Sequence, residues 1–211
     1  MSGAARVVTL AQQKGGSGKT TIAAQLAALW TRRGLRVALI DLDPQRSLTR
    51  WAELRGDPAL TAIESKDWRA GVDIDRARRA ADRVLADCPG AAEPLLRAAA
   101  RAADLVLTPV QPSAPDIWAL ERTVRMCADE GARVRAVLNR VPPRGGAVEE
   151  AAAALAEMGA PPLAARLGNR VAFAAAFARG RAAFETAPRA KAAEELAALE
   201  AEIEALLNAR P

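Results

Sequence analysis

Nine residues constrain this chain more than any others: Gln13-Lys14-Gly15-Gly16-Ser17-Gly18-Lys19-Thr20-Thr21. They follow a short apolar run, Val7-Val8-Thr9-Leu10, and precede a helical pattern that stops at Gly34. Strand, glycine-rich turn and helix form the context that a phosphate-binding loop needs. Glycines let the backbone turn tightly and bring N–H groups close to phosphate oxygens. The start of the next helix adds its dipole and its unpaired N–H groups. In that setting Lys19 reaches the β- and γ-phosphates, and the Thr20 hydroxyl holds Mg²⁺. Two departures from the regular pattern stand out. Gln13 occupies the place of its first glycine, and a second lysine, Lys14, opens the loop. The bland alternative, a glycine-rich turn with surface lysines, has to compete with the carboxylates that follow.

Those carboxylates close further apolar runs. Arg36 to Ile40 ends at Asp41-Leu42-Asp43-Pro44-Gln45, and Arg83 to Ala86 ends at Asp87-Cys88-Pro89-Gly90. Strands alternating with helices imply a parallel sheet covered on both faces, and such sheets bind ligands beyond the carboxyl ends of their strands. Asp41 and Asp43 are there placed for magnesium or an attacking water, or else cap a turn before Pro44. Asp87 is placed to position magnesium through water, or is a plain strand-end aspartate.

The remaining pattern predicts strands at 6–10, 103–110 and 134–138, with short ones at 61–63 and 162–167. It predicts helices at 19–33, 46–54 (Trp51 and Leu54 facing inward), 73–81, 92–102, 116–129, 148–158, 170–179 and 190–209. The last has Leu196, Leu199, Ile203 and Leu206 at three-four spacing, with a glutamate-rich outer side. Asn139, just past a strand, either hydrogen-bonds a nucleotide base or makes a turn. The expected fold is therefore α/β: one P-loop domain over 1–211, with a mostly parallel twisted central sheet flanked by helices on both faces.

Composition removes several chemistries. The chain has no histidine, and its two cysteines, Cys88 and Cys127, are far apart, which argues against zinc, iron–sulfur clusters and imidazole catalysis. Cys88 reads as a small packed residue. No apolar run has the length of a membrane span, and residues 1–20 do not read as a signal peptide, so a cytoplasmic protein is expected. No helix-turn-helix extension is expected before residue 6. The formal net charge of +5 permits an acidic partner.

Four motifs in order carry a resemblance: Lys14 to Thr21, Asp41-Leu42-Asp43-Pro44-Gln45, Asp87-Cys88-Pro89-Gly90, and Pro109-Val110-Gln111-Pro112-Ser113 with Asp116 and Trp118. Together they resemble the deviant Walker A ATPases of the ParA/MinD family, in particular the small, ParF-like ParA branch. The run Arg170, Phe173, Gly180, Glu185, Pro188-Arg189, Lys191-Ala192-Ala193 resembles the same branch, so the likeness covers nearly the whole chain. It implies ATP and Mg²⁺ as cofactors and a homodimer that sandwiches two ATP molecules. Lys14 would be the signature lysine reaching the partner's ATP, offsetting charge that develops in phosphoryl transfer. Gly15, Gly16, Ser17, Gly18, Lys19, Thr20 and Thr21 would bind ATP in cis, with Asn139 at the base. Asp43 would orient the attacking water, Asp41 would stand near the magnesium shell through water, and Asp87 would be the Walker B carboxylate.

The resemblance also implies slow hydrolysis stimulated by a ParB-like or other adaptor protein. The ATP dimer would bind double-stranded DNA without sequence preference and position a plasmid, a chromosome region or a protein cluster on the nucleoid. From Gly131 to Lys191 there are ten basic and four acidic residues. Arg170, Arg179, Arg181, Arg189 and Lys191 are the candidate phosphate contacts, unless they form a solvated basic face. Two other readings stand beside this one. A membrane-attached regulator like MinD would want a basic amphipathic terminal helix, which residues 190–209 do not supply. A metabolic P-loop ligase would need a pocket for a second substrate, and nothing in the sequence marks one.

Overall fold

In the computed structural model, residues 5–65, 67–90, 92–143 and 147–209 are described. The apolar runs become strands β1 (Arg6–Leu10), β2 (Val37–Asp41), β3 (Leu60–Glu64), β4 (Arg83–Asp87), β5 (Leu105–Val110) and β6 (Val134–Leu138). They form one six-stranded sheet in the order β3-β2-β4-β1-β5-β6. Every pairing is parallel. The central strands alternate between two buried faces: Val7 and Ala11 point to one core, Val8 and Leu10 to the other. A strand buried on both sides has no polar face, which is why these segments read as near-continuous apolar runs.

The helices are α1 (Lys19–Arg32), α2 (Ser47–Arg55), α3 (Ala70–Ala80), α4 (Glu93–Ala102), α5 (Ala114–Asp129), α6 (Ala147–Glu157), α7 (Val171–Phe177), α8 (Ala183–Thr186) and α9 (Lys191–Asn208). Residues of α3, α4, α5 and α6 fill one core. Residues of α1, α2, α7, α8 and α9 fill the other. The double layer expected from the alternation is present, and no helix among the described residues is long and apolar enough to cross a membrane.

Two local expectations fail. Residues 162–167 do not form a strand; Pro162 makes an isolated bridge with Ala136, and Gly168, just beyond, makes one with Val141. Pro161 and Pro162 have no N–H to donate to a ladder, so the segment meets β6 through scattered bonds and not a continuous ladder: Ala136 N–H donates to Pro161, Leu163 N–H to Ala136 and Leu167 N–H to Leu138. Leu54 does not face inward; it is 65 % exposed. The inner stripe of α2 runs through Leu48, Trp51 and Ala52, and Leu54 lies off it.

The glutamates of α9 are less exposed than the sequence suggests. Leu196, Leu199 and Ile203 are fully buried, each contributing about 1.5–3 kcal/mol. Glu200 pairs with Arg33, Glu204 makes a bidentate pair with Arg83 at 2.7 and 3.0 Å, and Glu202 accepts the Ala164 and Ala165 N–H groups. The run from Arg170 to Glu185 is structural as well. Gly180 has φ +66, and a Cβ there would lie 2.6 Å from the Arg55 nitrogen. Glu185 then accepts both arms of Arg55, at 2.9 and 3.1 Å.

Candidate nucleotide-binding site

The carboxyl ends of the strands meet where the chain departs in opposite directions, β1 toward β2 and β4 toward β5. This is the place where open α/β sheets hold ligands. The glycine-rich loop leaves β1 with Gly16 at φ 75 and Gly18 at φ 101, left-handed conformations that favour glycine. Gly18 also lies so close to Asn139 that a Cβ would sit 2.4 Å from its Nδ2. Gly18 is the N-cap of α1 and offers no side-chain cap, and the first turn has no acidic residue. The leading N–H groups of α1 are thus left for an anion. Gly15 and Gly16 are exposed on the loop, while Ser17 and Lys19 are buried.

Thr20 and Asp87 meet directly: the Thr20 hydroxyl donates to Asp87 Oδ2 at 2.6 Å. Asp87 is 1 % exposed, and burial pushes its carboxyl up to about 7. The hydrogen bond from Thr20 and the charge of Lys19 pull it down, while Asp41 and Asp43 push it further up. The other oxygen, Asp87 Oδ1, makes no hydrogen bond, and neither does the buried Ser17 hydroxyl. A buried carboxylate oxygen and a hydroxyl without partners, beside Thr20 and Lys19, fit a magnesium ion and phosphate oxygens.

Asp41 and Asp43 separate in role. Asp41 is paired in register with Asp87. Its Oδ2 accepts the Thr49 N–H and hydroxyl, both at 2.9 Å, and its Oδ1 accepts the Asp43 N–H at 3.1 Å. Three donors within the fold make Asp41 an anchor for the loop and for the first turn of α2. Asp43 is half-buried, and its Oδ1 accepts the Gln45 N–H at 2.9 Å. A Cβ on Gly90 would lie 2.7 Å from the Gln13 carbonyl, so the segment after Asp87 rests on the start of the phosphate loop.

Beyond Gly18 lies a cavity of about 300 Å³, lined by Thr21, Ile22, Asn139, Arg140, Gly168 and Phe173 among others. Asn139 donates from Nδ2 to the Ser17 carbonyl at 2.7 Å and accepts the Arg140 N–H at Oδ1. It therefore braces the loop and borders the cavity at once. Lys14 is also engaged: its ammonium lies 2.8 Å from Asp116 Oδ2.

Of the candidate DNA contacts, Arg170 borders this cavity, while Arg179, Arg181, Arg189 and Lys191 do not line it. Arg170 pairs with Glu195 at 2.7 Å, Arg181 with Glu185 at 4.0 Å, and Lys191 with Glu194 at 2.9 Å. Arg179 and Arg189 are exposed. The cysteines are packed residues: burial drives the Cys88 thiol well above its ordinary range and the Cys127 thiol up to about 12. Sequence reasoning missed Thr49, whose eight-residue distance from Asp41 has no local signature. It also missed Gly168 as a wall of the cavity, which only the return of the chain past β6 brings there.

A family model described as the CobQ/CobB/MinD/ParA nucleotide binding domain matches residues 8–183. The chain belongs to this family. A relative named maintenance of carboxysome distribution protein A, from Halothiobacillus neapolitanus, is 29% identical over 218 residues, covering 98% of this chain and 97% of the relative. A protein of the same name from Gloeobacter kilaueensis is 37% identical over 161 residues, covering 74% and 73%. The ATP complex of a variant McdA from Cyanothece superposes with a TM-score of 0.76 at 19% identity, covering 98% of each chain. That likeness concerns the fold. As a family member the chain carries a nucleotide-binding P-loop domain, with the strand order and loop geometry described above.

Proposed function

We propose that this chain is an ATPase that dimerises on ATP and positions a cargo. The observation that carries the proposal is the second lysine, Lys14, at the mouth of a phosphate loop whose Thr20 is tied to the strand-end carboxylate Asp87. Lys19 and the N–H groups from Gly15 to Thr21 bind the phosphates of the chain's own ATP. Asn139 and the cavity beside it take the nucleoside. Thr20 and, through water, Asp87 and Asp41 are the residues that would hold Mg²⁺, which when bound would offset charge on the β- and γ-phosphates.

Lys14 extends to the ATP of a second copy, so that two subunits enclose two nucleotides and pairing depends on the γ-phosphate. In hydrolysis water attacks the γ-phosphorus, the bond to the β-phosphate breaks, and ADP and phosphate leave. Asp43 orients that water, Asp41 holds the loop that carries Asp43, and the two lysines stabilise charge on the transferring group. Turnover is slow until an adaptor protein engages the dimer.

The ATP dimer binds double-stranded DNA without sequence preference, using exposed arginines such as Arg179 and Arg189, in the cytoplasm on the nucleoid. The carboxysome relatives favour a large protein assembly as cargo over a plasmid or chromosome region. Among the described residues a MinD-like membrane role finds little support in the terminal helix, because α9 spends its apolar face on the core. Phosphate release by the purified chain with ATP and Mg²⁺ tests the reading. We expect slow turnover that Lys19→Ala abolishes; turnover untouched by that substitution would overturn it.

A further inference from the structure

The Lys14 ammonium is not loose at the mouth of the loop. It lies 2.8 Å from Asp116 Oδ2 within the same subunit. That oxygen also accepts the Ser113 hydroxyl at 2.5 Å. Asp116 is 6 % exposed and sits in the first turn of α5, behind the loop Gln111-Pro112-Ser113 that leaves β5. Its own N–H donates to the Ser113 carbonyl, and Ser113 N–H donates to that of Gln111, so a closed turn fixes the carboxylate. The helix N-terminus favours its negative charge. Lys14, by contrast, has a side chain 40% exposed on a long flexible stem. The carboxylate is the fixed member of the pair and the ammonium the movable one.

We propose that Asp116 is a positioning residue: it holds Lys14 against its own subunit and sets how much ATP is needed before Lys14 reaches across to a second copy. The inference rests on the dimerising reading above. An ammonium neutralised by a carboxylate in cis cannot also neutralise phosphate in trans without leaving its partner or sharing it. The pair is half-buried, so water screens it only in part. The hydroxyl of Ser113 and the charge of Arg140 act in the same direction as Lys14, keeping the Asp116 carboxyl below its ordinary range although burial opposes this. The Ser113 hydroxyl and the N-terminus of α5 still face the carboxylate when Lys14 leaves, and a vacated carboxylate repels phosphate and favours the return of Lys14 after hydrolysis.

The test is the ATP concentration giving half-maximal dimer, read by light scattering with a slowly hydrolysed analogue. Asp116→Asn is expected to lower it about five- to tenfold, as loss of a half-buried ion pair would. Asp116→Glu is expected to restore the wild-type value, and ADP affinity is expected to stay the same in both. An unchanged or higher ATP requirement in Asp116→Asn, with normal ADP affinity, overturns the proposal. Where that variant does not fold, the wild-type chain answers: a carbodiimide should join Lys14 to Asp116 without nucleotide and fail to do so in the ATP dimer. Equal yield in both states overturns the proposal. If the wild type never dimerises on ATP, the dimerising reading fails with it; if it dimerises and Asp116→Asn matches it, only this inference fails.

Discussion

The Thr20 hydroxyl and Asp87 Oδ2, 2.6 Å apart, join the first turn of α1 to the end of β4. The bond closes the phosphate loop onto the neighbouring strand. Around it, burial holds the Asp87 carboxyl up near about 7 against an ordinary 3.8. Between those values the folded chain keeps a proton that the unfolded chain has released, so stability falls as pH rises from about 4 to about 7 and is level above. Lowered carboxyls such as Asp73 and Asp82 act in the other direction, losing their contribution only as pH falls below about 4. Urea midpoints at about pH 5 and about pH 8 should show the ligand-free protein less stable at the higher value. Asp87→Asn should remove most of that difference. A wild type equally stable at both, or a variant that keeps the slope, would count against the assignment.

Asp43 bonds Asp41 through its backbone N–H, and its carboxylate accepts the neighbouring Gln45 N–H, so removing that carboxylate should leave the fold and the dimer intact. Asp43→Ala is expected to keep ATP-driven pairing and to lower phosphate release by about a hundredfold or more. Unchanged release would take Asp43 out of the reaction.

Gly180 carries a positive φ and presses on the backbone of α2. Gly180→Ala should cost about 2 kcal/mol or more, from strain and from the clash with Arg55. Denaturant unfolding reads this directly, and a shift within about 0.5 kcal/mol would contradict it.

For DNA, Arg189 gives a cleaner test than Arg170. Arg170→Glu would set a second carboxylate beside Glu195, which also holds Gly168 N–H, and so would disturb the wall of the nucleoside cavity. Arg189→Glu should weaken binding of the ATP form to double-stranded DNA of any sequence and lower the salt slope by about one. Gel shifts that match wild type at moderate salt would point to another face.

The architecture was legible because parallel strands buried on both sides must be apolar throughout, and two of them, β2 and β4, end on a carboxylate. The phosphate loop was legible because backbone-cradling sites need glycine at fixed spacing. Other features depend on contacts far apart in sequence. Pro161 and Pro162 defeat a strand that composition alone suggests. Thr49 occupies Asp41 only because α2 turns back onto β2. Glutamates that read as a solvated stripe on α9 are spent on Arg33, Arg83 and two backbone N–H groups. Asp116 could be named as part of a motif, but its contact with Lys14 belongs to the folded loop after β5.

The most direct test of the account is the molar mass of the chain by light scattering in ATP and Mg²⁺, for wild type and for Lys14→Ala with Lys19 intact. The account predicts a dimer for wild type, a monomer for Lys14→Ala, and nucleotide binding retained in both. A Lys14→Ala chain that pairs on ATP as the wild type does would contradict it.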